Sequence, residues 1–256
     1  MQDPHVDAMH YVVSSGEGIS YSNPEPVSFS NHVGAFDLTD GKLRIAPTEH
    51  FPDEDSACQA VEPFLRAWEI ESDLMSHIGM IRFKFDRAEV IDRNPPPPGS
   101  PQVTKVKSAL MVLVGESGSL PLTCSKYPQP PKTFHATLEV QHAYRRWLGY
   151  RLGKEPLQSM AYFVLTLLQS VAGNRRSAAC SFQIEDHVLG TIGILSSTKG
   201  DESTARKARA SDGFQDLSDS ENQWLEETIR RVIHRLGEQA SGAPLTLISL
   251  RDLPNL

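Results

Sequence analysis

Phe36-Asp37-Leu38-Thr39-Asp40-Gly41-Lys42-Leu43-Arg44-Ile45 is the stretch that decides the fold of the N-terminal half. Two runs alternating apolar and polar residues flank Asp40-Gly41, a pair that tolerates the positive φ angles of a two-residue hairpin turn. In that register Leu38 lies opposite Leu43 and Phe36 opposite Ile45, on one face. Asp37 and Arg44 face each other on the other side, a favourable cross-strand charge pair.

Downstream, Ala57, Ala60, Val61, Phe64, Leu65 and Trp68 recur at the helical period and make one apolar stripe. Asp53, Glu54 and Asp55 precede it, where the helix dipole favours negative charge. Pro63 lies inside the stripe and predicts either a kink or the start of a second helix. Ile81 to Phe85 alternates and predicts a half-buried strand. Ala109 to Val114 is a continuous apolar run and predicts a strand buried on both faces. The run Asn94 to Pro101 holds four consecutive prolines and predicts a stiff extended loop. Upstream, Tyr11 to Ser14 and Val27 to Ser30 predict edge strands. The pattern changes at Pro128-Gln129-Pro130-Pro131. Residues 1–127 are therefore expected to form a β-rich α+β domain with one or two helices, and 128–132 a proline-rich linker.

From residue 133 the period is helical. Leu138, Tyr144, Trp147 and Leu148 place a helix over Phe134 to Arg151. Pro156 opens a second one, apolar nearly all round: Leu157, Met160, Ala161, Val164, Leu168 and Val171 form its stripe and Phe163, Leu165 and Leu167 fill other faces, which suits the centre of a bundle. Gly173-Asn174 stops it. Ser218 and Glu221 form a capping box for a last long helix over Leu225, Ile229, Val232 and Leu236. Arg230, Arg231, His234 and Arg235 crowd what is expected to be its C-terminal end, with Gly237 as the stop. The helical domain is expected over 133–238, with four to five helices and a mobile polar loop at 196–214. A tail at 239–256 would hold a possible last strand at 245–250, returning to the N-terminal sheet. The fold class is α+β.

Composition narrows the function. The 256 residues are 39% hydrophobic and 22% charged, enough for a folded core. A net charge of -7 is unfavourable for a general polyanion binder. The longest apolar run, Met160 to Leu168, is about half the roughly 20 residues of a membrane span, and the N-terminus lacks a signal-peptide pattern. Cys58, Cys124 and Cys180 are too scattered for a disulfide framework or a metal knuckle. A cytoplasmic protein away from membranes is expected. No phosphate loop, nucleophile elbow or zincin motif occurs, so no catalytic residue is assigned. His135, Glu139 and His142 share a helical face but fall short of a metal site. Cys180 and His187 pair only if the turn between them folds back. No cofactor is expected.

Residues 175–192 have the layout of a helix-turn-helix. Ala178 and Ala179 end a short helix, Phe182 and Ile184 bracket a turn, and Leu189 and Ile192 point inward from a second helix. Arg175 and Arg176 would face phosphate. Gln183 stands where a turn glycine is common, and Glu185 and Asp186 would meet phosphate at the groove, so packing is favoured over DNA reading. Lys199, Arg206, Lys207 and Arg209 in the polar loop extend the candidate anion-binding set.

The helical half, 134–238, also resembles the HEPN ribonucleases of bacterial defence and toxin systems. It shares a compact bundle, a long central helix and arginines near histidines. That resemblance implies RNA cleavage by an Arg–His pair on one helical face. Arg176 and His187 are too far apart for the motif, and Arg230 and Arg231 stand too close to His234, so the activity is not carried over. The chain is otherwise similar only to uncharacterised bacterial proteins. The expected function is a non-catalytic bacterial interaction or regulatory protein that binds a macromolecular partner, in the first place a protein, through its helical domain. The alternatives are a nucleic-acid binder acting through 175–192 and a HEPN-like ribonuclease.

Overall fold

The Asp40-Gly41 hairpin forms in the expected register: Phe36 pairs with Ile45, Asp37 with Arg44 and Leu38 with Leu43. Asp40 (φ 50°) and Gly41 (φ 71°) both take positive φ, as the tight turn requires. The computed structural model describes residues 1–94, 122–199 and 216–256. The chain divides into two units, Met1–Pro131 and Lys132–Leu256. The expected strand Ala109 to Val114, the proline run from 95 onward and residues 200–215 lie outside the described residues.

In the first unit β1 (Pro4–Ser14), β3 (Val27–Ser30), β4 (Gly34–Thr39), β5 (Lys42–Pro47) and β6 (Arg82–Asp92) form an antiparallel sheet in the order β3-β4-β5-β1-β6. β2 (Ile19–Glu25) pairs in parallel with β7 (Leu122–Lys126) as a separate ribbon. Val27 to Ser30 is an edge strand, as expected, but Tyr11 to Ser14 is the end of an eleven-residue strand between β5 and β6. The sequence hides β1 because its pairing with β6 shifts register between Val6 and Ala8 and again between His10 and Tyr11. Each bulge breaks the alternation on which strand recognition depends.

α1 (Glu54–Met75) lays Ala57, Val61, Leu65 and Trp68 on one face of the sheet, against Met9, Tyr11, Phe36, Leu38, Leu43 and Ile45. Asp53 caps it by accepting from the Ser56 N–H at 2.8 Å. Pro63 sits inside this single helix and opens no second one. Tyr127 and Pro128 are tied to this unit. The Tyr127 hydroxyl accepts from Gly41 N–H at 2.8 Å, and Trp68 Nε1 donates to the Pro128 carbonyl at 3.1 Å.

The second unit is helical: α2 (Leu138–Arg151), α3 (Leu157–Ala172), α4 (Arg175–Ser181), α5 (Asp186–Thr198) and α6 (Asp219–Ala240). α2 starts four residues later than expected, capped by Thr137, and Phe134 packs ahead of it. Ser218 and Glu221 complete the capping box of α6. That helix does not stop at Gly237. It runs on to Ala240, and Gly237 is buried beneath the Phe134 ring, where a methyl group would collide. Ser196 to Thr198, expected in the polar loop, are the last turn of α5. Residues 245–250 form no strand. Ile248 makes a single parallel bridge to Ile184, and Leu250–Asp252 is a 3-10 turn. No helix of the described residues is long and apolar enough to cross a membrane.

Candidate functional site

Among the described residues, two places combine exposure with organised side chains, one in each unit. In the helical unit it is α3, sixteen residues without a single charge. Leu157, Met160, Ala161, Val164 and Leu168 of the expected stripe are buried, and Leu165 with them, but Val171 at the end of the helix is exposed, because the stripe turns away from its neighbours in the last turn. The rest of the helix is not enclosed. Ser159, Ser170 and Val171 are exposed, and Tyr162, Phe163, Thr166 and Leu167 are only half-buried. Arg146 of α2 lies over the Phe163 ring, 4.7 Å from its centre, and is paired with Glu155. On another flank the Arg175 guanidinium and Leu165 converge on Gly193 of α5.

Residues 175–192 fold as a short helix, a turn and the start of a second helix. α4 and α5 are joined through Phe182 and Ile184, both buried, and Gln183 itself takes the left-handed conformation (φ 50°) where a glycine was the expected occupant. What surrounds it favours packing. The Glu185 N–H donates to the Ile248 carbonyl at 2.9 Å, and the Glu185 carboxylate accepts from the Leu250 N–H at 3.0 Å. The chain's own tail therefore lies at the N-terminal end of α5, the end a recognition helix points at bases. Arg235, 5% exposed at its side chain, locks this arrangement: Nη1 donates to the carbonyls of Phe182 (2.9 Å), Gln183 (3.3 Å) and Thr246 (2.6 Å), and Nε to Glu238 (2.8 Å).

Of the candidate anion-binding residues, Arg175 and Arg176 are exposed at the start of α4. Lys199 is not left open to an external anion, because its ammonium contacts both oxygens of Glu221 at 2.7 and 2.8 Å. Arg206, Lys207 and Arg209 lie outside the described residues. Arg230 and Arg231 both pair with Glu227, and His234 stacks on Phe134 at 5.4 Å, so this cluster does not serve a helix terminus. No group of three metal-ligating side chains occurs among the described residues, His135, Glu139 and His142 included.

In the first unit a cleft of about 400 Å³ opens between α1, β1 and β6. Leu65, Phe83, Phe85 and Tyr11 line its apolar part, and Cys58, Glu62, Arg66 and Glu69 descend one side of α1. The rings are held by packing: Tyr11 meets Phe85 edge-on at 5.5 Å, and Phe83 lies 5.1 Å from Trp68. Glu69 is fully engaged, accepting from the Phe83 N–H (2.9 Å) and from Arg66 (2.9 Å). The Tyr11 hydroxyl donates to Cys58 Sγ at 3.8 Å. Burial raises the thiol pKa most. The Tyr11 hydrogen bond opposes this, and the carboxylates of Glu54, Asp55 and Glu62 reinforce it. Cys58 is thus held as a neutral thiol, the less nucleophilic form. Burial likewise raises the Tyr11 pKa.

The sequence signal for this cleft was faint. Cys58, Glu62, Arg66 and Glu69 follow the helical period beside the Trp68 stripe, but every aromatic there also reads as core. Comparison with protein-family models, curated proteins and solved structures gives no match to the chain.

Proposed function

We propose that the protein is a non-catalytic interaction protein whose helical unit binds a partner protein along the outward face of α3. The observation that carries this is the absence of any charge on α3 although part of its circumference reaches solvent. A surface helix ordinarily turns charged residues outward. The centre of a protein interface is instead depleted of charge and enriched in aromatic side chains, the character that Tyr162, Phe163, Thr166 and Leu167 supply. Arg175 at the flank favours a partner helix with acidic residues beside its apolar stripe. Nucleic acid has less support, since Glu185 and Asp186 stand at the start of α5 and Lys199 is held by Glu221.

The test is photocrosslinking in cells from a benzoylphenylalanine placed at Thr166, with Gln239, exposed on α6, as control. A discrete adduct from position 166 alone, lost on Phe163→Asp in a protein that keeps its helical circular dichroism, is the expected result. Equal adducts from both positions, or none, would refute the assignment.

A further inference from the structure

The cleft of the first unit is independent of α3 and has a chemistry of its own. We propose that it binds a small amphipathic organic cation, an aryl or alkyl group carrying an ammonium, with the apolar body on Phe83 and Phe85 and the charge at Glu62. A cleft of about 400 Å³ falls within the size range of small-molecule sites.

The charge balance selects the cation. Arg66 and Glu69 pair at 2.9 Å, and the second oxygen of Glu69 is taken by the Phe83 N–H. Those two side chains cancel. Cys58 is kept as the neutral thiol and Tyr11 as the neutral phenol. Glu62 remains as the one lining carboxylate with no cationic partner among the described residues, and it is exposed at the cleft. The site therefore carries about one net negative charge beside an aromatic surface. Ring faces attract cations as well as apolar bodies. An anionic ligand of equal size would meet Glu62 with its charge uncompensated, since Arg66 is held by Glu69.

Preorganisation supports the same conclusion. Phe83 is fixed against Trp68 and Phe85 against Tyr11, so a ligand settling on these rings orders little that is not already ordered.

The test uses the intact chain and two aromatic dyes, cationic thioflavin T and anionic anilinonaphthalene sulfonate, titrated by fluorescence over a salt series. Saturable one-to-one binding of the cation is expected, weakening as salt rises. Glu62→Gln, at an exposed position that leaves the core untouched, should weaken cation binding on the order of tenfold and leave the anion unchanged or tighter. Bound thioflavin T should also slow alkylation of Cys58, located by peptide mass spectrometry, without slowing that of exposed Cys180. Cation binding unchanged in Glu62→Gln, tighter binding of the anion by the unmodified chain, absence of saturable cation binding, or equal protection of both cysteines would each overturn the assignment.

Discussion

Each unit is organised by a helix of 22 residues, α1 and α6, and the two bury their charges in opposite senses. α1 buries carboxylates. Asp73 accepts from the Gly79 N–H and twice from Arg82, and Glu69 accepts from the Phe83 N–H. α6 buries a guanidinium, and Arg235 donates to three backbone carbonyls. The neighbours explain the difference. Among the described residues β6 is an edge strand, and its start and the chain leading into it present N–H groups outside the sheet ladder, which only an acceptor can satisfy. The α4–α5 turn and the tail present carbonyls outside any regular ladder, which only a donor can satisfy. A buried charge in this protein therefore marks the sign of the backbone groups left over nearby.

The largest expected effect tests the acceptor side. Asp73 is fully buried and Arg82 is its close partner at 2.6 Å, so Asp73→Ala should cost about 3–5 kcal/mol in urea denaturation. A cost below about 1 kcal/mol would show that the carboxylate does not anchor the α1–β6 connection. On the donor side Arg235→Met should cost about 3 kcal/mol, because it leaves carbonyls unpaired in a dry place. Hydrogen exchange should then accelerate first at residues 183–185 and 248–253. Uniform acceleration along α6 would mean that Arg235 supports the helix itself and not the turn and tail.

A smaller effect distinguishes a packing glycine from a helix stop. Gly→Ala inside a helix ordinarily stabilises by up to about 1 kcal/mol. Gly237→Ala should instead destabilise by about 1–3 kcal/mol, since the added methyl meets the Phe134 ring. Thermal melting decides, and a raised melting temperature would remove the close approach.

The smallest effect separates the units by pH. Burial lowers the His5 pKa from 6.5, with Arg93 and His50 adding to it, so its neutral form belongs to the folded state. That contribution is complete above pH 6.5 and is lost as pH falls through 6.5 toward the lowered folded value. In the helical unit burial alone would raise Glu221 and Glu227, but the hydrogen bonds from Lys199 and from Arg230 and Arg231 prevail and lower both below 4.5. Their contribution is complete above 4.5 and lost only as pH falls through the lower folded values. Hydrogen exchange corrected for intrinsic rates should show β1 loosening as pH falls from 6.5 toward 4.5 while α6 stays protected. Simultaneous loosening would contradict the contrast.

Much of the α+β fold was legible because its signals are local. Asp40-Gly41 and the alternation around it specify one hairpin, and Ser218 and Glu221 specify one helix start. Where the sequence misled, the deciding partner was distant. Gly237 has the composition of a stop, yet Phe134, about a hundred residues earlier in the chain, makes it a contact point within α6. Arg235 resembles a dipole-complementing cation and is a bolt for the tail. Leu245 to Leu250 has the apolar content of a strand, but a single bridge at Ile184 takes up its pairing. The cleft draws on β1, α1 and β6, so no window of sequence contains it.

The sequence by itself determined the β4–β5 hairpin, the apolar face of α6 and the capping box that starts it, since each depends on residues within one or two turns of one another. Among the described residues, only the tertiary structure decided which helix face reaches solvent, which carboxylate of the cleft has no cationic partner and which glycine carries a ring. Those outcomes depend on what arrives from elsewhere in the chain, and neither a period of two nor one of 3.6 encodes it.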